Sequence, residues 1–410
     1  MVLSDYLRKH SVRPRFVASL APSELGLVIV IPVYNEESVI PSLESLNNCS
    51  PPKSKVEVIL VFNASEKESE AVISRNIKAK IEVEEWYNKV ENPLFKLFIL
   101  EENRLAHKHA GVGLARKIGM DEAIRRFEAN NQANGVIVCF DADSKCMANY
   151  LVEIEQHFST NPSASACSIY FEHPIKGKNF KPSIYNGISY YELHLRYYKN
   201  GLQYADLPFA YHTIGSSMAV RAEDYCKQGG MNRRKAGEDF YFLQKFIDLG
   251  SFSELNSTMV IPSPRESNRV PFGTGRALLE MEEGKRDIEK SYAFETFELL
   301  KECFIDVEKW YTQSPVFNEK LIAFLGIEVL QQKLEEIRQQ STTVEIFKKR
   351  FFLWFNAFQV LKFVHFLRDN YYPLVALENT VPELLKRIGI PIQNRRADEL
   401  LLLLRKKDRD

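Results

Sequence analysis

Residues 27–32, 56–62, 94–100 and 135–140 are short runs, mostly apolar and rich in β-branched side chains, and the first and last carry no polar side chain outside a lone cysteine. Runs of this length, apolar on both faces, read as buried strands of a parallel sheet. Helical patterns fall between them: 38–47, a polar segment with Glu66, Lys67, Glu68 and Glu70 in its first turns, 112–129, and one starting near Ala148. In 112–129, Asp121 with Arg125 and Glu122 with Arg126 form supportive i,i+4 pairs. Strands alternating with helices at this spacing predict a doubly wound α/β sheet. Beyond it, 165–171 and 215–220 read as strands. A helix is expected over 183–199, capped by Ser183 and stopped by Gly201. Another over 238–249 places Phe242, Leu243, Phe246 and Ile247 on one apolar face. From about residue 280 the period becomes that of long amphipathic helices, 281–311, 318–340 and 343–369, and Pro373, Pro382 and Pro391 break the remainder of the chain.

Composition narrows the class without naming a chemistry. A length of 410 residues suits two or three domains. Hydrophobic content of 45% and charged content of 26% are those of an ordinary soluble globular protein. The net charge of zero gives no reason to expect nucleic acid as a partner. The six cysteines lack metal-binding spacing and read as reduced thiols of a cytoplasmic protein. Residues 1–20 have no apolar core of the kind a secretory leader needs. Residues 351–367 are interrupted by Asn356, Gln359, Lys362 and His365 and are too short and polar to cross a bilayer.

The candidate chemistry sits at strand ends, where open parallel sheets place their ligand crevice. The run 135–140 ends in Asp141-Ala142-Asp143, and on an extended chain both carboxylates point the same way. Carboxylates suit Mg²⁺ or Mn²⁺, which commonly take one or two of them plus substrate phosphates; an acidic turn capping the following helix is the structural alternative. Gly111 and Gly113 open a helix beside Lys108 and Arg116 in a way that suits an anion, although the segment is neither a Walker A loop nor a dinucleotide fingerprint. Eleven Tyr or Phe residues between Tyr170 and His212 are a density that suits a sugar-lined cleft, with packing as the plainer reading. Glu238 and Asp239 stand at a helix start, where carboxylates also serve as caps. The loop 262–276 holds Arg265, Arg269 and Arg276, whose forks match phosphate oxygens. No histidine lies between His212 and His365, so no third protein ligand for a metal is evident there.

Ile31-Pro32-Val33-Tyr34-Asn35-Glu36-Glu37, then Asn63, then Gly111 through Gly119, then Asp141-Ala142-Asp143, together resemble the nucleotide-sugar half of family 2 glycosyltransferases over about residues 25–275. The resemblance implies an A-type glycosyltransferase fold, a Rossmann-like α/β sheet with helices on both faces, followed by a helical C-terminal region. It divides the chain into an N-terminal extension (1–24), a catalytic domain (25–278, with halves 25–145 and 146–278) and helices (279–410). It implies inverting transfer from a nucleotide-diphosphate sugar to a carbohydrate, lipid-linked or other hydroxyl acceptor. Pro32, Tyr34, Asn35, Glu36, Asn63, Gly113, Arg116, Asp141, Arg265 and Arg269 would hold the donor, and Asp143 with Asp141 the Mg²⁺ or Mn²⁺. Asp239, with Glu238 beside it, would be the general base. At Asn63 many members carry an acidic residue, which leaves the base identity open. Two other readings stand beside this one. A strand running into Asp141-Ala142-Asp143-Ser144 resembles the nucleophile motif of haloacid-dehalogenase-type phosphatases, and a sugar-nucleotide binder without turnover would keep the same fold. The C-terminal helices, with Phe351, Phe352, Trp354, Phe355, Phe358, Phe363 and Phe366, suit core packing or a homodimer. Leu400 to Leu404 and the basic Arg405-Lys406-Lys407 supply the alternative, a peripheral contact at the inner membrane face.

Overall fold

In the computed structural model, residues 2–269 and 273–410 are described. The apolar runs become strands β1 (Leu25–Val33), β2 (Lys55–Ser65), β3 (Phe95–Leu105) and β4 (Val136–Cys139). They are joined by β5 (Lys145–Cys146), β6 (Ala166–Phe171), β7 (Met218–Arg221) and β8 (Phe252–Ile261) in one sheet of order β3-β2-β1-β4-β7-β6-β8-β5. The strands β3, β2, β1 and β4 are mutually parallel, whereas β7 runs antiparallel to both β4 and β6. The sheet is therefore the expected α/β type but mixed, and β4 lies at its middle rather than at the end of the series. Neither β5 nor β8 was evident as a strand, since β5 is two residues long and β8 is largely polar.

The helices of the first part are α1 (Val2–His10), α2 (Ile40–Asn47), α3 (Glu70–Lys89), α4 (Val112–Glu128) and α5 (Tyr150–Thr160). Then come α6 (Pro182–Tyr204), α7 (Ala222–Lys227) and α8 (Glu238–Leu249). The third helix starts after Glu66 to Glu68 because Ser69 caps it, accepting from the Val72 N–H. Against β1 and β2, α4 packs closely through Gly119, where a Cβ would stand 2.4 Å from Val30 Cγ1. The expected Glu122–Arg126 pair is not made. Arg126 is fully buried and bonds Glu57 of β2 at 2.6 and 2.8 Å, while Glu122 accepts from the Phe16 and Val17 N–H groups. The partner of Asp121 is likewise Lys117, together with Tyr6 and Tyr225, not Arg125. An unpaired buried charge is costly, so Arg126 takes a tertiary partner in Glu57, while Asp121 keeps a helix neighbour one turn earlier, Lys117, and adds two tyrosines.

Two compact units are distinguished: residues 1–174 with 213–276 and Arg409, and residues 175–212 with 277–408 and Asp410. The sheet belongs to the first. The second takes α6 out of the expected half 146–278 and joins it to the C-terminal helices, from near the expected boundary at 278. Those helices are shorter than the pattern suggested: α9 (Thr274–Glu282), α10 (Phe294–Phe304), a 3-10 turn (Val307–Tyr311), α11 (Glu319–Leu325), α12 (Ile327–Gln339), α13 (Val344–Trp354), α14 (Ala357–Asn370), α15 (Leu377–Arg387) and α16 (Ala397–Arg409). A small ribbon of β9 (Lys290–Ser291) and β10 (Val375–Ala376) lies among them. The breaks have local causes. Gly284 and Gly326 have positive φ, 67° and 85°, which ends a helix cheaply only at glycine. The Asn356 side chain caps α14 by accepting from Phe358 and Gln359. Gly201 is not a stop: α6 runs past it to Tyr204, and a Cβ there would meet the Phe297 ring at 2.5 Å.

Inside the second unit many of the aromatic residues are packing, whereas Phe358 and Tyr371 are exposed. Phe351, Phe355 and Phe363 are buried, as are Tyr185 and Tyr197 of α6. Leu400, Leu401 and Leu404 are buried too, leaving Leu402 exposed, and Arg405 is buried rather than part of a free basic tail. No described helix is long and apolar enough to cross a membrane.

Candidate active site

The crevice opens where β4 leaves β1. Phe140 N–H still bonds Val30 O at 3.1 Å, but the ladder goes no further. Pro32, with its ring nitrogen on that same side two residues on, therefore forfeits no ladder bond. Past β4 the chain does not stay extended. It turns at Asp141-Ala142-Asp143, closed by Ser144 N–H to Asp141 O at 3.0 Å, and Ser42 Oγ of α2 lies 2.7 Å from both Ala142 O and Ser144 O. Turning sends the two carboxylates to different partners, which an extended chain would not have done.

Asp141 Oδ1 accepts from Arg116 at 2.6 Å, and the other arm of that guanidinium bonds Glu238. Arg116 is almost fully buried, so the cation expected for a diphosphate is engaged by carboxylates on both sides. Two glycines make room for this. A Cβ at Gly215 would lie 2.3 Å from Arg116 Nη1, and one at Gly113 would lie 2.2 Å from Arg234 O and close to Glu238. Gly113 thus serves close packing of the segment that carries Glu238. Asp143 bonds Arg265 Nε at 2.6 Å; Arg265 also bonds Glu36 at 2.6 Å, and Arg269 bonds Glu36 and, at 3.0 Å, Asn35 O. The arginine loop is thereby tied to the ends of β1 and β4. Val270, Pro271 and Phe272 of that loop lie outside the described residues.

The ends of β1 and β2 are linked by a network of asparagines. Asn35, at φ 55°, donates its N–H to Asn76 Oδ1 at 2.9 Å; Asn76 Nδ2 donates to Asn63 O at 3.0 Å; Asn63 Nδ2 donates to Val33 O at 2.9 Å. Tyr34 donates its hydroxyl to Glu68 at 2.9 Å. Asn76, Glu68, Ser42 and Gly215 carry no motif that marks them in the sequence. Asn76 has one signal, an amide within an amphipathic helix that buries Ala79 and Val83.

Five carboxylates, Glu36, Asp141, Asp143, Glu238 and Asp239, surround three guanidinium groups, those of Arg116, Arg265 and Arg269. The electrostatics register the surplus. Burial pushes Asp143 up to about 6; Arg265 opposes this, and Glu36 and Asp141 add to it. Burial likewise raises Glu238 and Asp239, against the pull of Arg116. Glu36, held by two arginines, is instead lowered despite its burial. Asp239 accepts from its neighbour Phe240 N–H at 2.8 Å. Among the described residues no three His, Cys, Asp or Glu side chains form a metal-binding group. Asp141 and Asp143 each leave one oxygen without a hydrogen bond among the described residues. That donor set fits a hard divalent ion completing its shell with phosphate oxygens and water.

Residues 28–223 match the family model described as Glycosyl transferase family 2. The span runs from within β1 through β7 into the start of α7 and stops before Glu238, Asp239 and the arginine loop. Solved structures that align include S. aureus TarS 1-349, at 14% identity and a TM-score of 0.38, covering 94% of this chain and 91% of that one. The same protein in complex with UDP-GlcNAc aligns at 14% identity and a TM-score of 0.39, covering 94% and 92%. No curated protein matches the chain.

Proposed function

We propose, from the match of residues 28–223 to the glycosyl transferase family 2 model, that the protein moves a sugar from a nucleotide-diphosphate donor to an acceptor hydroxyl, with inversion and with a divalent cation. The observation that carries the finer reading is the surplus of carboxylates over guanidinium groups at the ends of β1 and β4. A cluster short of positive charge, with Asp143 raised by burial, favours binding a cation. Asp141 and Asp143 would hold Mg²⁺ or Mn²⁺, which neutralises charge on a leaving diphosphate. Asn63 spends its amide hydrogens on Val33 O and Val61 O, leaving its carbonyl oxygen as acceptor for a base N–H. Pro32, Tyr34 and Asn35 line the same end of β1.

Asp239 takes the acceptor proton. Its raised basicity moves it toward neutral pH, as a general base requires. Glu238 is held by Arg116 and anchors the start of α8, which makes it the less available of the two. Arg265 and Arg269 fix Glu36 and Asp143, and Arg265 is placed to share in neutralising the diphosphate.

The test is a binding titration with UDP-, GDP- and dTDP-sugars, with and without Mn²⁺. Binding to one of them should require the cation and collapse in Asp143→Ala. At a donor concentration of 100 times Kd the bound protein should gain about 2.7 kcal/mol, easily read as a melting shift. Undiminished affinity in EDTA overturns the metal assignment. Binding without any hydrolysis or transfer leaves a sugar-nucleotide binder.

A further inference from the structure

We propose that Cys49 and Cys146 form a reversible thiol–disulfide site directly behind the turn that carries Asp141 and Asp143. Of the six cysteines, all free, these two alone have their sulfurs side by side among the described residues, 3.6 Å apart. A disulfide needs about 2.05 Å, so the sulfurs must close by roughly 1.5 Å.

The surroundings are those of a reactive thiol. Ser42, Ser45 and Cys49 follow one face of α2 and its end, spaced so that all three meet the segment after β4. Cys49 Sγ lies 3.4 Å from Ser45 O and 3.6 Å from Met147 O, and Ser45 Oγ lies 3.7 Å from Cys146 Sγ. The first residues of the eleven-residue helix α5, Tyr150 and Leu151, help to lower the Cys49 thiol, although the Tyr150 N–H itself bonds Met147 O at 3.0 Å. Thiolates at helix N-termini are stabilised and become the reacting form. The Cys49 thiol is lowered accordingly, first by its hydrogen bond with Cys146, against the effect of burial. Cys139, Cys167 and Cys303 are pushed up to about 12, chiefly by burial. Cys146 is partly exposed, which opens the pair to a small oxidant.

The oxidant is a hydroperoxide, with hydrogen peroxide as the simplest. The Cys49 thiolate attacks one peroxide oxygen; an S–O bond forms, the O–O bond breaks, and hydroxide leaves and is protonated to water. Cys146 sulfur then attacks Cys49 sulfur; the S–S bond forms, the S–O bond breaks, and the oxygen departs as a second water carrying the Cys146 proton. Two thiols have lost two protons and two electrons, and a dithiol reductant restores them by exchange. The closed bond ties the end of α2 to the strand just after Asp143 and closes a chain loop between positions 97 apart.

The experiment reads covalent state on the full chain and does not depend on the sugar donor. After mild hydrogen peroxide, the intact mass should fall by two hydrogens. Digestion without reductant should give one linked peptide joining 49 to 146, lost with dithiothreitol. In Cys146→Ser, Cys49 should instead accumulate as a sulfenic acid trapped by dimedone. In Cys49→Ser, oxidation of Cys146 should slow by about tenfold or more, since the stabilised thiolate is gone. The oxidised parent should melt at a higher temperature than the reduced one, because a long loop has been closed. Oxidation of Cys146 alone to sulfinic acid in the parent, unaltered in Cys49→Ser, overturns the proposal. So does a linkage that uses any of the other four cysteines.

Discussion

Two buried groups of charges in this protein have opposite characters. In the second unit, α6 and α16 are joined by Glu192, Arg196, Lys199, Arg405 and Asp408, all nearly inaccessible to solvent. Arg196 bonds Glu192 at 2.8 Å and Asp408 at 2.7 Å, Arg405 bonds both oxygens of Glu192, and Lys199 and Asn200 complete Asp408. Burial opposes ionisation of Asp408, but His212, Lys199 and Arg196 overcome it and hold the carboxyl well below its ordinary range. Around Arg116, by contrast, carboxylates outnumber cations and the Arg116 Nε has no hydrogen-bond partner among the described residues, and Asp143, Glu238 and Asp239 are all raised. In the first arrangement each carboxylate is held by at least two cationic side chains, and the group serves as a clasp. The second lacks positive charge until something else brings it, and a binding site is defined by that shortfall.

The largest effect that separates the two is catalytic. Asp239→Asn keeps the size of the side chain and removes its basicity, so transfer should fall by about 10² to 10⁴-fold. Donor binding should stay close to that of the parent, as measured by titration. Glu238→Gln is the control. Near-normal transfer in Asp239→Asn, with Glu238→Gln inactive, would make Glu238 the base. Next in size is the clasp. Asp408→Ala leaves Arg196 and Lys199 buried without their shared partner, which should cost about 3–5 kcal/mol. Amide exchange in α6 should speed up by the corresponding factor. Unchanged protection there would show that the cluster contributes nothing net.

The contrast also explains which features are legible in the sequence. Strands β1, β2 and β4, the Asp141-Ala142-Asp143 turn and the Glu238-Asp239 helix start are legible, because apolar runs and strand-end carboxylates are local signals. The helix breaks at Gly284, Gly326 and Asn356 are not, because apolar periodicity carries on across a glycine or an asparagine cap. Partners are the least legible. Arg126 finds Glu57, Arg116 finds Asp141 and Glu238, and Arg405 finds Glu192, over sequence separations that no pattern in one segment reveals. Arg116 in particular is expected on the ligand and lies between carboxylates instead. Its neighbours Gly113 and Gly215 record that crowding, but a glycine does not say which side chain it makes room for.

The smallest effect is a difference of sign with pH. Glu238 has a folded-state pKa above its unfolded value, chiefly through burial, with Arg116 opposing and Asp239 adding. The fold favours its protonated form. Its contribution is therefore most favourable below the unfolded glutamate value of about 4.3 and is lost as pH rises through the folded value. Asp408 is depressed, so its contribution is full above about 3.9 and lost only as pH falls further. Denaturant titrations in metal-free buffer from pH 7.5 to 4.5 should show this. The stability difference between parent and Glu238→Gln should shift in favour of the parent as pH falls, by on the order of 1 kcal/mol. The difference between parent and Asp408→Asn should stay level over the same range and shrink only in stronger acid. If both differences moved the same way with pH, the two groups of charges would not be opposites, and the carboxylate surplus would lose its standing as the mark of the site.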